Sequence, residues 1–241
     1  MQAPAFIRNS DIRHSVFLSF LGGYVDTLGF IALFGLFTNH VTGNFVLIGR
    51  DLIEPKNSVL LKLLAFPMFI ASVALARLLI LFWERRQRAA LRNSMLLQLV
   101  LLVCFMVSGE LGAPFTDADA GYTLMVGMFG TAAMGVQNAG SRLLLPHLAP
   151  STVMTGNVTQ LVIDLVDVAL GIGGEVTLKR CQKFFWPVAA FGSGALLGAL
   201  AYSVAGFLAL AIPCLLLLTL CVLASREFAC KQVAESEAAS R

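Results

Sequence analysis

The sequence predicts an all-α integral membrane protein: six spanning helices plus two re-entrant or short half-helices, arranged as two inverted repeats. Three observations predict it. Of 241 residues, 58% are hydrophobic and only 13% charged, whereas a soluble domain carries about 25% charged residues to cover its wet surface. The apolar residues fall in long runs, not in the short alternating ones of a β-barrel. Finally, the tripeptide Thr-Gly-Asn occurs twice, at 42–44 and at 155–157.

Residues 1–14, with Arg8 and Arg13, read as a cytoplasmic N-terminal segment. The apolar run from Val16 is too long for a cleavable signal and lacks a small-residue cleavage site. A first membrane repeat, 15–112, contains apolar stretches at 15–34, 59–83 and 94–112. A second, 121–225, contains stretches at 121–141, 184–204 and 206–224, and a cytoplasmic tail, 226–241, follows. Each stretch has the roughly 18 residues that a spanning helix needs.

Two segments, 42–54 and 152–172, are mixed in character. The first gives about 20 Å of helix, too short for a hydrocarbon core of about 30 Å. The second is long enough but carries Asn157, Gln160, Asp164 and Asp167. An offset of 113 that superposes the two Thr-Gly-Asn motifs also lays Gly22 on Gly135, Asp51 on Asp164 and Glu54 on Asp167.

Orientation follows from Lys and Arg in the loops. The 84–92 loop carries Arg85, Arg86, Arg88 and Arg92, and Lys179, Arg180 and Lys183 precede the stretch at 184–204. The 113–120 loop has Asp117 and Asp119 and no basic residue. Two re-entrant segments put every strongly basic segment and both termini in the cytoplasm. The alternative, eight spanning helices, places the 84–92 arginines outside.

The two motifs are the candidate functional feature. A helix that begins inside a membrane has amides with no partner, which Thr and Asn side chains can cap, while Gly admits a close neighbour. Two such ends meeting near the midplane would favour an anion or a dipolar solute. The competing reading is a motif that only caps and packs two helices. Asn157, Gln160, Asp164 and Asp167 share one helical face, and Asn44, Asp51 and Glu54 make the matching stripe. Asp26, midway along the first apolar run, is a candidate proton acceptor, cation ligand or partner of Arg77, against a buried structural hydrogen bond. The corresponding second-half region offers Gln137 and Asn138 instead. The candidate solute-binding set is therefore Asp26, Asn39, His40, Thr42, Gly43, Asn44, Gln137, Asn138, Thr155, Gly156, Asn157, Gln160 and Asp164.

Other features read more simply. Gly194 and Gly198 are a close-packing pair. The five cysteines lack metal-site or disulfide spacing and read as apolar fillers. No metal, no cofactor and no nucleic acid is expected, and no catalytic motif is present. The expected partners are the lipid bilayer and a small-molecule solute, with homo-oligomerisation left open.

The stretches Gly23-Tyr24-Val25-Asp26, Asn39-His40-Val41-Thr42-Gly43-Asn44, Met134-Gly135-Val136-Gln137-Asn138-Ala139 and Met154-Thr155-Gly156-Asn157 resemble the YoaK family of bacterial inner-membrane proteins, over roughly residues 15–225. The resemblance implies a multi-pass protein of the bacterial plasma membrane and supplies no activity or substrate. The expected function is a channel or secondary transporter for a small polar or anionic solute. A non-transporting membrane scaffold or sensor is the alternative.

Overall fold

The structure, a computed structural model, describes residues 9–53 and 59–239. Glu54 and Lys56 lie outside these residues. The described chain is all-helical, in the order α1 (Asn9–Ala32), α2 (Gly43–Ile53), α3 (Val59–Arg85), α4 (Ala90–Gly112), α5 (Gly121–Leu144), α6 (Met154–Ala169), α7 (Glu175–Ala205), a 3-10 turn (Gly206–Leu210) and α8 (Ala211–Ala239). Six helices are long and two, α2 and α6, are short. At 1.5 Å per residue, α2 reaches only about 17 Å and α6 about 24 Å.

Among the described residues, four stretches are long and apolar enough to cross a membrane: Ile12–Ala32, Val59–Arg85, Ala90–Gly112 and Glu175–Arg226. The last folds into α7 and α8, which separate at Gly206, where φ is 55°. Helix α5, expected as an apolar span, is not among them. It carries Thr123, Thr131, Gln137 and Ser141, and all four are buried. Because α5 is surrounded by protein, its polar groups meet other helices and it has little need of an apolar exterior. Two boundaries also differ from expectation. Helix α7 begins nine residues before 184, and α8 runs through most of the segment read as a tail.

The two halves exchange their packing. Helix α1 packs most extensively along α7, and α5 packs on α3 and α4. Thus the first helix of each half lies on the third helix of the other. Among the helices, α2 rests on α3 alone and α6 on α7 alone. Two groups result: α1, α6 and α7 form one, and α2, α3, α4 and α5 form the other, with α8 against α4. Where the groups meet, α1 and α5 touch only lightly, while the 3-10 turn packs on both α4 and α7 and α8 reaches α1. Residues 33–42 carry the chain across that seam in one direction and residues 145–153 carry it back.

Glycine makes the α1–α7 crossing intimate. A Cβ on Gly23 would strike the Phe191 carbonyl, one on Gly194 the Phe20 carbonyl, and one on Gly198 the Tyr24 carbonyl. The close-packing role expected of Gly194 and Gly198 is what the structure shows. Around this crossing Leu18, Leu21, Tyr24, Val25 and Leu28 of α1 join a core that extends to Phe105 of α4 and Phe207. Cys104, Cys181, Cys214 and Cys221 are free thiols, the last three buried.

Candidate functional site

Helix α1 ends at Ala32, and Gly35, at φ 78°, turns the chain back. The returning backbone needs partners inside the bundle. Asp26 supplies them. Its Oδ1 accepts hydrogen bonds from the Asn39 amide at 2.7 Å, the His40 amide at 3.4 Å and the Thr38 hydroxyl at 3.4 Å. Its Oδ2 stands 2.7 Å from His40 Nδ1. The partner of Asp26 is therefore His40 on the segment between α1 and α2, and Arg77 is exposed. Asp26 is buried while the His40 side chain is 37% exposed, with the Phe191 ring edge-on to the imidazole. A buried acid thus reaches the surface of the bundle through one titratable side chain.

Next comes the motif. The Asn44 side chain pairs with both backbone groups of Phe37: Nδ2 donates to the carbonyl at 2.9 Å and Oδ1 accepts from the amide at 2.9 Å. In the second half Asn157 Nδ2 donates to the Pro150 carbonyl at 2.7 Å. Phe37 and Pro150 correspond at the offset of 113, as do the two asparagines. The second bond is missing after Asn157 because proline has no N–H to give. Each asparagine therefore holds the non-helical segment seven residues upstream of it.

This corrects the expectation that the motif caps amides or leaves them open to a solute. The amides of Gly43, Asn44 and Phe45 bond back to the carbonyls of His40, Val41 and Thr42. Helix α6 begins after Val153 with no side-chain cap. Nor do the two short helices meet: α2 and α6 make no contact with one another. Thr42, Thr155 and Gly156 are exposed, and Gly43 lies against the Phe37 ring.

Further along each short helix an aspartate is bound to a cation from the next helix. Asp51 meets Lys62 Nζ at 2.7 Å, both side chains fully buried, and also Arg50 at 2.6 Å. Asp164, fully buried, receives Arg180 through Nε at 2.7 Å and a terminal nitrogen at 2.6 Å, together with Gln160 Nε2 at 2.8 Å. Asp164, held by Gln160 of its own helix, therefore anchors α6 on α7, and neither joins the central groups. On α6, Asn157 and Asp164 are buried and Gln160 and Asp167 partly so, consistent with one polar face turned inward.

The polar groups that do converge lie at the seam. Gln137 Nε2 donates to the Leu18 carbonyl at 2.8 Å and the Ser151 hydroxyl at 3.2 Å, while its Oε1 accepts from Gln98 Nε2 at 2.7 Å. The Ser151 hydroxyl also lies 3.4 Å from that of Ser141. A Cβ placed on Gly22 would find the Ser151 carbonyl at 3.2 Å, Asn39 Nδ2 at 3.4 Å and Gln137 Nε2 at 3.5 Å. Gly22 is thus the point where both non-helical segments, 33–42 and 145–153, and α5 face α1. Of the sequence-derived set, Asp26, Asn39, His40 and Gln137 gather here; Asn138 is half-buried and takes no part. Sequence reading missed Thr38, Ser151, Gln98 and Lys62. Thr38 and Ser151 correspond at the same offset of 113, a signal that would have found them.

Residues 14–223 match the family described as a protein of unknown function, DUF1275. No curated protein and no solved structure matches the chain. With the match covering nearly all of the helical bundle, the chain belongs to the DUF1275 family, as its resemblance to YoaK proteins implied.

Proposed function

We propose that this chain is a multi-pass protein of the bacterial plasma membrane that moves a small polar solute across it, as a secondary transporter or channel. In this reading six helices span, α2 and α6 are re-entrant, the halves are inverted repeats and both termini are cytoplasmic. One observation carries it. The buried polar side chains Asp26, Asn39, Gln137 and Ser151 collect where two helix groups meet across a thin α1–α5 contact, and both unwound segments cross there. Unwound backbone between repeats is where transporters of this general build bind solute and coupling ion. An ionisable residue at such depth is costly, so it calls for a function.

The charges at the seam narrow the solute. Lys62 and Arg180 are each bound to an aspartate, and the seam itself holds the Asp26 carboxylate with His40. That arrangement favours a neutral or cationic solute over the anion that open helix ends would have taken. Asp26 with His40 is the proton-coupling element.

The test uses purified protein in vesicles loaded with a pH-sensitive dye, given a proton gradient and a panel of small polar solutes. Wild-type protein should move protons with at least one solute, and Asp26→Asn protein, folded and inserted, with none. A scaffold or sensor is the second reading, favoured by the engaged side chains of Asn44 and Asn157. Folded wild-type protein that moves no proton and no solute would establish that reading over transport.

A further inference from the structure

Along α1, Ser15, Ser19, Gly22 and Asp26 are spaced 4, 3 and 4 and lie on one face. All are buried, and the face runs against both re-entrant segments: Ser15 bonds the Ala149 carbonyl, Gly22 faces Ser151 and Asn39, and Asp26 holds 38–40. Two side chains at this face are unsatisfied. The Ser19 hydroxyl is fully buried and has no hydrogen-bond partner among the described residues. Asn39 is 4% exposed, and among the described residues neither its Nδ2 nor its Oδ1 has a partner. Buried polar groups are nearly always bonded, so donors and acceptors left open together need a visitor.

The other half supplies the second observation. At Gly135, the counterpart of Gly22, the hollow left by the missing Cβ is filled by the hydroxyl of Ser72, which donates to the Phe69 carbonyl at 2.8 Å. The protein itself thus seats a neutral hydrogen-bonding group on one of the two equivalent glycines. On the other it leaves the unbonded amide of Asn39, with the unbonded Ser19 hydroxyl one turn back along the same face of α1.

We propose that Ser19, Gly22 and Asn39 form a binding subsite for a neutral, hydrogen-bonding group of the solute, of carboxamide or hydroxyl type. This rests on the transport reading and names the class of solute. A carboxylate would meet Asp26 with no cation to receive it. A cation would leave Asn39 Nδ2 unanswered, and Asp26 already has His40. A carboxamide offers a donor and an acceptor side by side, which answers both atoms of Asn39. The absent Cβ of Gly22 allows such a group to lie against the α1 backbone.

The experiment is a thermal-unfolding titration of the full chain in lipid nanodiscs with acetamide, acetate and methylammonium. Acetamide should raise the melting temperature of wild-type protein to a saturating value, and acetate and methylammonium should not. Asn39→Leu, which removes both unbonded atoms, should be at least as stable as wild type without ligand and lose the acetamide response. Gly22→Ala fills the hollow with a methyl group whose nearest neighbours stand at 3.2–3.5 Å, and should fold and weaken the response. No acetamide response in wild type, an equal response to acetate, or a response retained in Asn39→Leu would each overturn the subsite. Acetamide binding without any flux would overturn transport and leave the subsite. Flux that survives in Asn39→Leu and dies in Asp26→Asn would do the reverse.

Discussion

Asn44 and Asn157 occupy the same place in their halves but do unequal amounts of bonding, and the difference is measurable. Asn44 satisfies an amide and a carbonyl at Phe37, and Asn157 only a carbonyl at Pro150. Each backbone group left unpaired inside a bundle costs about 1–3 kcal/mol. Asn44→Leu should therefore lower the melting temperature more than Asn157→Leu does, in the same nanodiscs. Equal losses would mean that these bonds are not what holds the segments. The buried charges make a second contrast. Asp51→Ala takes its carboxylate from the fully buried Lys62 ammonium, at a cost of about 3–5 kcal/mol. Asp164→Ala strands Arg180, which is 44% exposed and can turn to water, so the loss should be smaller. Adding Lys62→Met to Asp51→Leu should recover most of the stability, and calorimetry of the single and double variants checks it. The sequence marked both asparagines and both aspartates. What it hid was their purpose, because a side chain seven residues from its target bonds only if the chain doubles back. Lys62, alone in an apolar run, gave no sign of its partner.

At the scale of the element, glycine positions decide which helices approach. The spacing of Gly194 and Gly198 was legible as a packing face, since small residues four apart stack on one side of a helix. Which helix they met was not, because nothing in a spacing names the partner. A Cβ at Gly194 would meet the carbonyl and Cα of Phe20, main-chain atoms that cannot rotate away, so α1 and α7 must part. Gly194→Ala should destabilise by about 1–3 kcal/mol, the usual cost of overpacking. Gly192, on the same helix, has nothing within 4 Å of where its Cβ would lie. Gly192→Ala should be neutral or stabilising by up to about 1 kcal/mol through helix propensity. Unfolding midpoints of the two variants, side by side, test the crossing. A loss at both sites would point to a general intolerance of α7 and away from the α1 contact. Helix α5 shows the opposite limit of sequence reading. Its polar residues lowered its hydropathy, yet they are there because the helix is enclosed by protein, a fact that only the packing reveals.

At the scale of the molecule the open choice is between six spans and eight, and it turns on two loops. With α2 and α6 re-entrant, 84–92 lies in the cytoplasm and 113–120 outside; with both spanning, the two loops exchange sides. The geometry favours the first arrangement. Helix α2 has 11 residues, about 17 Å of a core about 30 Å thick. Its first amides bond within their own turn, and the segment before it is bound to Asp26 inside the bundle; a helix begun there at depth would have length only to return. The offset of 113 was legible because it aligned polar residues as well as motifs. The exchange of partners between halves was not, since a repeat fixes what is equivalent and leaves open what touches. In a variant lacking the native cysteines, Arg88→Cys should react with a membrane-impermeant maleimide only after the inner face is opened. Asp119→Cys should react in intact cells. The reverse pattern would require α2 and α6 to cross the bilayer, which would carry 33–42 and 145–153 away from the midplane. Asp26 and Asn39 would then lie near one surface, and the seam would lose its meaning as a pathway.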